Sequence, residues 1–168
     1  MIQNREQLFD AILKAKLPAN LLKIWSNDVP SRLQYTLQNP SSSFDAFVAH
    51  PGGFPSPNEL LILWQTNGQS IVAHLPSTGT FIRYYFEDGP NEFEVIGESY
   101  QQMLSELFAK LIMRGASDAE INECTVYLEF KYLPQLRKFV ATNRNWEDTT
   151  ASFIAKLESA APPPDSQL

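Results

Sequence analysis

Leu8, Phe9, Ile12, Leu13 and Leu17 recur three and four positions apart, so residues 4–16 are expected to form an amphipathic helix that stops at Pro18. A second short helix is expected over 19–26. From there to residue 59 the pattern breaks, because Pro30, Pro40, Pro51, Pro55 and Pro57, with Gly52 and Gly53 between them, leave room only for short elements. A strand or a helical turn around 44–49 is the most that fits.

From residue 60 the period changes. LLILWQ, SIVAHL, TFIRYYFE and FEVI are runs of strand length, rich in Ile, Val, Tyr, Phe and Trp. Asn67-Gly68, Ser77-Thr78-Gly79 and Asp88-Gly89 separate them and tolerate the positive φ that tight turns need. A four-stranded antiparallel meander is the economical reading. Alternation sets Phe81, Arg83 and Tyr85 on one face and Ile82, Tyr84 and Phe86 on the other, so both faces are expected to be covered.

Helical spacing then returns: Tyr100, Met103, Leu104, Leu107, Phe108, Leu111 and Ile112 share one stripe, which predicts a helix over 99–113 lying on the sheet. Gly115 should end it, with Lys110 and Arg114 near the negative end of the helix dipole. Ser117 and Glu120 form a capping-box pattern, and Pro134 and residues 143–145 divide the segment from 117 to 160 into two or three helices. TVYLEF, within 125–132, would serve equally as an edge strand. The expected fold is α+β in one domain over 1–160: an antiparallel or mixed sheet of about four to six strands with N-terminal and C-terminal helices packed on it. The proline-rich residues 161–168 are expected to be a disordered tail.

Composition narrows the function classes. The 168 residues are 43% hydrophobic and 19% charged, enough apolar material for a core without metal or disulfide staples. A net charge of -6, with no run of Lys or Arg, opposes a phosphate backbone, so nucleic acid is not an expected partner. A basic protein would be drawn by the same field. Cys124 is the single cysteine, the N-terminal segment carries Arg5, Glu6 and Asp10 instead of an unbroken apolar stretch, and no run approaches the ~18 apolar residues of a membrane span. A cytoplasmic protein, without a membrane partner, is expected.

Gly97-Glu98-Ser99-Tyr100-Gln101 holds four-fifths of the Gly-x-Ser-x-Gly signature of a nucleophile elbow. Gln101 stands where the second glycine must be, and both histidines, His50 and His74, precede Ser99, whereas such hydrolases place the histidine later. Ser99 is therefore expected to cap the helix, accepting from the Gln102 N–H while the Gln102 side chain returns the bond. Neither histidine has a second ligand at metal spacing, and Cys124 has no cysteine partner, so neither a metal nor a cofactor is expected. The remaining candidate is acidic: Glu87, Asp88, Glu92, Glu94 and Glu98 lie in a stretch from Tyr84 to Glu98 without Lys or Arg, with Tyr84 and Phe93 as aromatic anchors for a partner.

The element order carries a resemblance. A helix ending in Leu17-Pro18, a Pro/Gly-rich connection, a meander containing Trp64-Gln65-Thr66-Asn67-Gly68, a strand at 81–86 running into an acidic turn, and Val95-Ile96-Gly97-Glu98-Ser99-Tyr100 opening an amphipathic helix resemble the SUKH superfamily of Smi/Knr-like proteins. The likeness covers roughly residues 17–113. The long loop before the first strand and the helical extension over 117–160 depart from the family pattern. The resemblance implies a non-enzymatic α+β binding module, in bacteria often an immunity protein that neutralises a toxin by direct contact, with no catalytic residue. An acidic dimeric secretion or folding chaperone is the alternative of similar size and charge.

Overall fold

The computed structural model describes residues 2–50, 52–56, 59–89, 92–143 and 145–160, except the side chains at 147 and 148. Among them the order is α1 (Arg5–Lys14), α2 (Leu21–Ile24), a 3-10 turn at Ser31–Leu33, α3 (Ser41–Ala49), β1 (Leu61–Thr66), β2 (Ser70–Leu75), β3 (Thr80–Tyr85), β4 (Glu94–Gly97), α4 (Tyr100–Met113), α5 (Asp118–Leu128), α6 (Leu133–Thr142) and α7 (Trp146–Ala160). The fold is α+β, built on one antiparallel meander of order β1-β2-β3-β4.

Local chemistry accounts for the element ends. Asn4, in extended backbone, accepts from the Gln7 N–H at 3.0 Å and opens α1, which buries Leu8 and Ile12. The Ser117 hydroxyl accepts the Glu120 N–H at 3.3 Å while the Glu120 carboxylate accepts the Ser117 N–H at 2.7 Å, completing the capping box of α5. Asn67 and Gly68 both adopt positive φ, 49° and 68°, and fold β1 back onto β2 with Gln69 N–H donating to the Thr66 carbonyl.

Both sheet faces are covered, by different parts of the chain. On one face Tyr84 meets Phe47 of α3 edge to face at 6.0 Å, and α1 and α2 pack over β1. On the other, Phe81 contacts Tyr100 at 6.0 Å and Arg83 reaches Glu106, both from α4. Register irregularities at Leu63 in β1 and Ile96 in β4 each place one extra residue in a strand, and cover on both sheet faces buries every side chain of the continuous run Leu60 to Trp64. Helices α6 and α7 pack on α4, forming an outer layer instead of touching the sheet broadly.

Gly97 is set by close approach. A Cβ there would lie 2.6 Å from the Met103 backbone nitrogen, so only glycine lets β4 run this tightly under the first turns of α4.

Two segments that the sequence left open between strand and helix are helical. Residues 125–132 contribute no strand: α5 continues to Leu128, because Ile121, Cys124 and Leu128 form a buried helical stripe that outweighs the alternation of TVYLEF. Glu129 then turns left-handed and Phe130 stacks on Phe108 at 4.4 Å. Residues 44–49 belong to a helix, α3. The expected tail at 161–168 lies outside the described residues. Among those described, no helix is long and apolar enough to cross a membrane.

Candidate binding surface

The acidic turn after β3 is held from beneath. Tyr84 is fully buried and donates its hydroxyl to the Asp88 carbonyl at 3.2 Å, while the Asp88 N–H returns to the Tyr85 carbonyl at 3.1 Å. Burial raises the Tyr84 pKa, with the Asp88 charge adding to it, so the phenol stays a donor. This corrects its expected role: Tyr84 positions the turn and has no surface with which to anchor a partner.

The other candidates are exposed. Glu87, Asp88, Glu92 and Glu98 face solvent, as do Phe93, 42% exposed, and Val95, 57% exposed. Val95 lies in β4 and Phe93 immediately precedes that strand. Val95 is not conspicuous in the sequence because its run, FEVI, looks like any half-buried strand; among the described residues no further strand lies beside β4. Glu94 differs from its neighbours. It accepts from Arg83 Nη1 at 3.0 Å, directly across the strand pair, so its charge is already committed within the chain.

Arg83 opens a second feature. Its Nη2 donates to Glu106 of α4 at 2.9 Å, and Glu106 also accepts from Lys110 one helical turn on. Burial alone would lower the Arg83 pKa and raise that of Glu106; the mutual ion pair and, for Glu106, Lys110 reverse both, so Arg83 lies above and Glu106 below its ordinary value. Both groups remain charged at neutral pH.

This network lies in a cleft of about 320 Å³ between the sheet and the C-terminal half of α4. Trp64, Val72, Met103 and Leu107 supply its apolar walls. Arg83, Lys110 and Arg114 line it against the single carboxylate of Glu106, an excess of cations in a chain whose net charge is -6. Glu106 and Lys110 at i,i+4 were legible as a helix pair, and Arg83 on a covered strand face was the signal that a partner had to exist.

Ser99 is a cap. Its hydroxyl accepts the Gln102 N–H at 3.1 Å and donates to both carboxylate oxygens of Glu158 in α7, at 2.8 and 2.9 Å. The returning bond shifts by one residue from the expectation: Gln102 Oε1 accepts the Glu98 N–H, and Gln102 Nε2 donates to Glu158 at 2.8 Å. No histidine joins this cluster. His74 packs against Phe81 at 4.9 Å, and burial lowers its pKa, opposed in part by the Gly79 backbone. His50 follows α3 on the surface, and Cys124 is buried, which raises its thiol pKa to about 11, an effect to which Glu123 and Glu120 add. Among the described residues no three His, Cys, Asp or Glu side chains gather as metal ligands.

No family model matches the chain, and neither the curated proteins nor the solved structures include one significantly similar to it.

Proposed function

We propose that this protein is a non-enzymatic, stoichiometric protein-binding module of the SUKH type, which docks a basic protein through the β3–β4 edge in the manner of an immunity protein meeting a toxin. The observation that carries this reading is the exposed pair Phe93 and Val95 at the end of the sheet, bordered by Glu87, Asp88, Glu92 and Glu98. An apolar centre with a charged rim is the anatomy of a docking patch, the apolar side chains contributing affinity and the acids steering a cationic partner. Docking proceeds through side chains and not by strand addition, because β4 is only four residues long and bulged at Ile96. The element order shared with Smi/Knr-like proteins supports the same reading, and the lone Cys124 suits a reducing cytoplasmic setting.

The test is capture from the native cell at low and moderate salt, followed by calorimetry on the purified pair, with Glu87→Lys/Glu92→Lys and Phe93→Ala/Val95→Ala as variants. The expected result is one basic protein bound at equimolar ratio, weakened by salt and by both variants. Binding indifferent to salt and to both variants would remove the β3–β4 edge as the docking surface. Retention of many unrelated proteins with exposed apolar segments would favour a chaperone.

A further inference from the structure

The cleft beneath α4 differs in chemistry from the acidic edge, which it adjoins through Ile96 and the Arg83–Glu94 pair. Its volume, about 320 Å³, is at the lower end of the range for small-molecule sites, and roughly 150 Å³ is enough to hold a benzene ring. A single ring with a short side chain therefore fits, and a dinucleotide does not. Val72 and Met103 are buried at its floor, Trp64 is almost wholly buried along one wall, and Leu107 is half-buried on α4. These walls would take an apolar body of that size.

The charges at the cleft are unequally committed. The charge of Arg83 is matched by two carboxylates, Glu94 and Glu106. Lys110 gives one contact to Glu106 and keeps further N–H donors, since an ammonium group has three. Arg114, directly after α4, lines the same cleft, is exposed, and has no ion pair among the described residues. The carbonyl end of α4 lies beside it, where a cation is favoured whether or not a ligand is present. The bland alternative is therefore a solvated helix-end arginine, and what distinguishes the site is that arginine's position on an apolar cleft with a half-used lysine one turn away.

From this arrangement we infer that the cleft binds a small monocarboxylate with a ring-sized hydrophobic body, its carboxylate between Arg114 and Lys110 and its ring against Trp64, Val72 and Leu107. One negative charge matches the uncommitted cationic capacity. A phosphate dianion or polyphosphate would bring a second charge towards Glu106 and into the field of a net-acidic chain. Guanidinium and ammonium groups both favour a carboxylate over its neutral amide, because a charge-assisted hydrogen bond is about twice as strong as a neutral one. The carboxylate could be that of a free aromatic acid or the C-terminus of a peptide ending in Phe; the recognition chemistry is the same.

The test is an amide-resolved NMR titration of the intact protein at millimolar probe. Phenylacetate is the probe, with phenylacetamide and inorganic phosphate as comparisons, and a tetrapeptide ending in Phe is added with its C-terminus free or amidated. The expected result is a set of shifts centred on Trp64, Val72 and Leu107 for phenylacetate, with phenylacetamide weaker by about tenfold and phosphate weaker still. Arg114→Gln, which breaks no ion pair among the described residues, should weaken phenylacetate by about fivefold to tenfold while leaving the rest of the spectrum in place. Binding of phenylacetate alone identifies a free acid as the source, and tighter binding of the free-ended peptide identifies a chain terminus. Equal binding of acid and amide, stronger binding of phosphate, indifference to Arg114→Gln, shifts centred elsewhere, or no shift at all would each overturn the assignment. No protein partner enters this measurement, so its outcome is independent of docking at the β3–β4 edge.

Discussion

The two ends of the sheet are handled in opposite ways. Beyond β1 the chain closes the edge itself: Gln38 and Gln65 exchange two backbone hydrogen bonds at 2.9 Å, Thr66 donates to the Thr36 carbonyl at 3.0 Å, and Gln65 accepts from Ser43 of α3 at 2.6 Å. Beyond β4 there is no further strand among the described residues. That edge is four residues long, bulged, charged and open, with Phe93 and Val95 in solvent. An edge strand must be covered or made unattractive to a stray strand, and this sheet does one at each end. The covered end serves stability. The open end leaves Phe93 and Val95 in solvent, and its bulge and acids discourage indiscriminate pairing.

The largest expected effect breaks the open edge from inside. Gly97→Ala drives a Cβ into the Met103 backbone, where no side chain can rotate away, and should cost about 3 kcal/mol in denaturant unfolding, with β4 amides losing exchange protection. At the covered edge, Gln65→Ala removes the acceptor of the buried Ser43 hydroxyl and should cost about 1–2 kcal/mol, leaving the Gln38 backbone pair in place. Equal protection of the Gln38 and Gln65 amides before and after this substitution would show that the backbone bridge alone closes that edge.

Glu106→Gln takes a charge from the network that ties β3 to α4, and a cost of about 1 kcal/mol is expected, the groups being partly solvated. Its signature is in pH. The folded pKa of Glu106 is below the ordinary 4.5, so its contribution is complete above 4.5 and is lost as the pH falls from there through the folded pKa. Acid unfolding of Glu106→Gln should be correspondingly shallower between those two values. The smallest effect is the sharpest discriminator: Glu92→Lys, at an exposed position, should change stability by no more than about 0.5 kcal/mol, yet weaken docking of a basic partner. A large loss of stability would show that the acidic turn is structural.

Much of this was legible in the chain. The meander followed from period-two runs bounded by turn residues, and α4 from the spacing of Met103, Leu104, Phe108 and Leu111 together with Ser99 as its cap. Less was legible where an apolar segment satisfied two periods at once. TVYLEF alternates like a strand and also continues the stripe of Ile121, Cys124 and Leu128, and burial of that stripe decided the outcome. The candidate surface was legible as a charge pattern but not as a geometry. Sequence proximity grouped Tyr84 and Glu94 with the exposed acids, although one belongs to the core and the other to Arg83.

The sequence by itself determined the meander, its turns, the cap and stripe of α4 and the acidic balance, because each depends on residues within a few positions of one another. The tertiary structure alone decided which end of the sheet is open, that Glu158 meets Ser99 from 59 residues away, and that Arg83 joins Glu94 to Glu106 above a cationic cleft. Those contacts depend on how far chain segments close on each other in space, and a one-dimensional pattern of polar and apolar positions states only which faces must be covered, not by what.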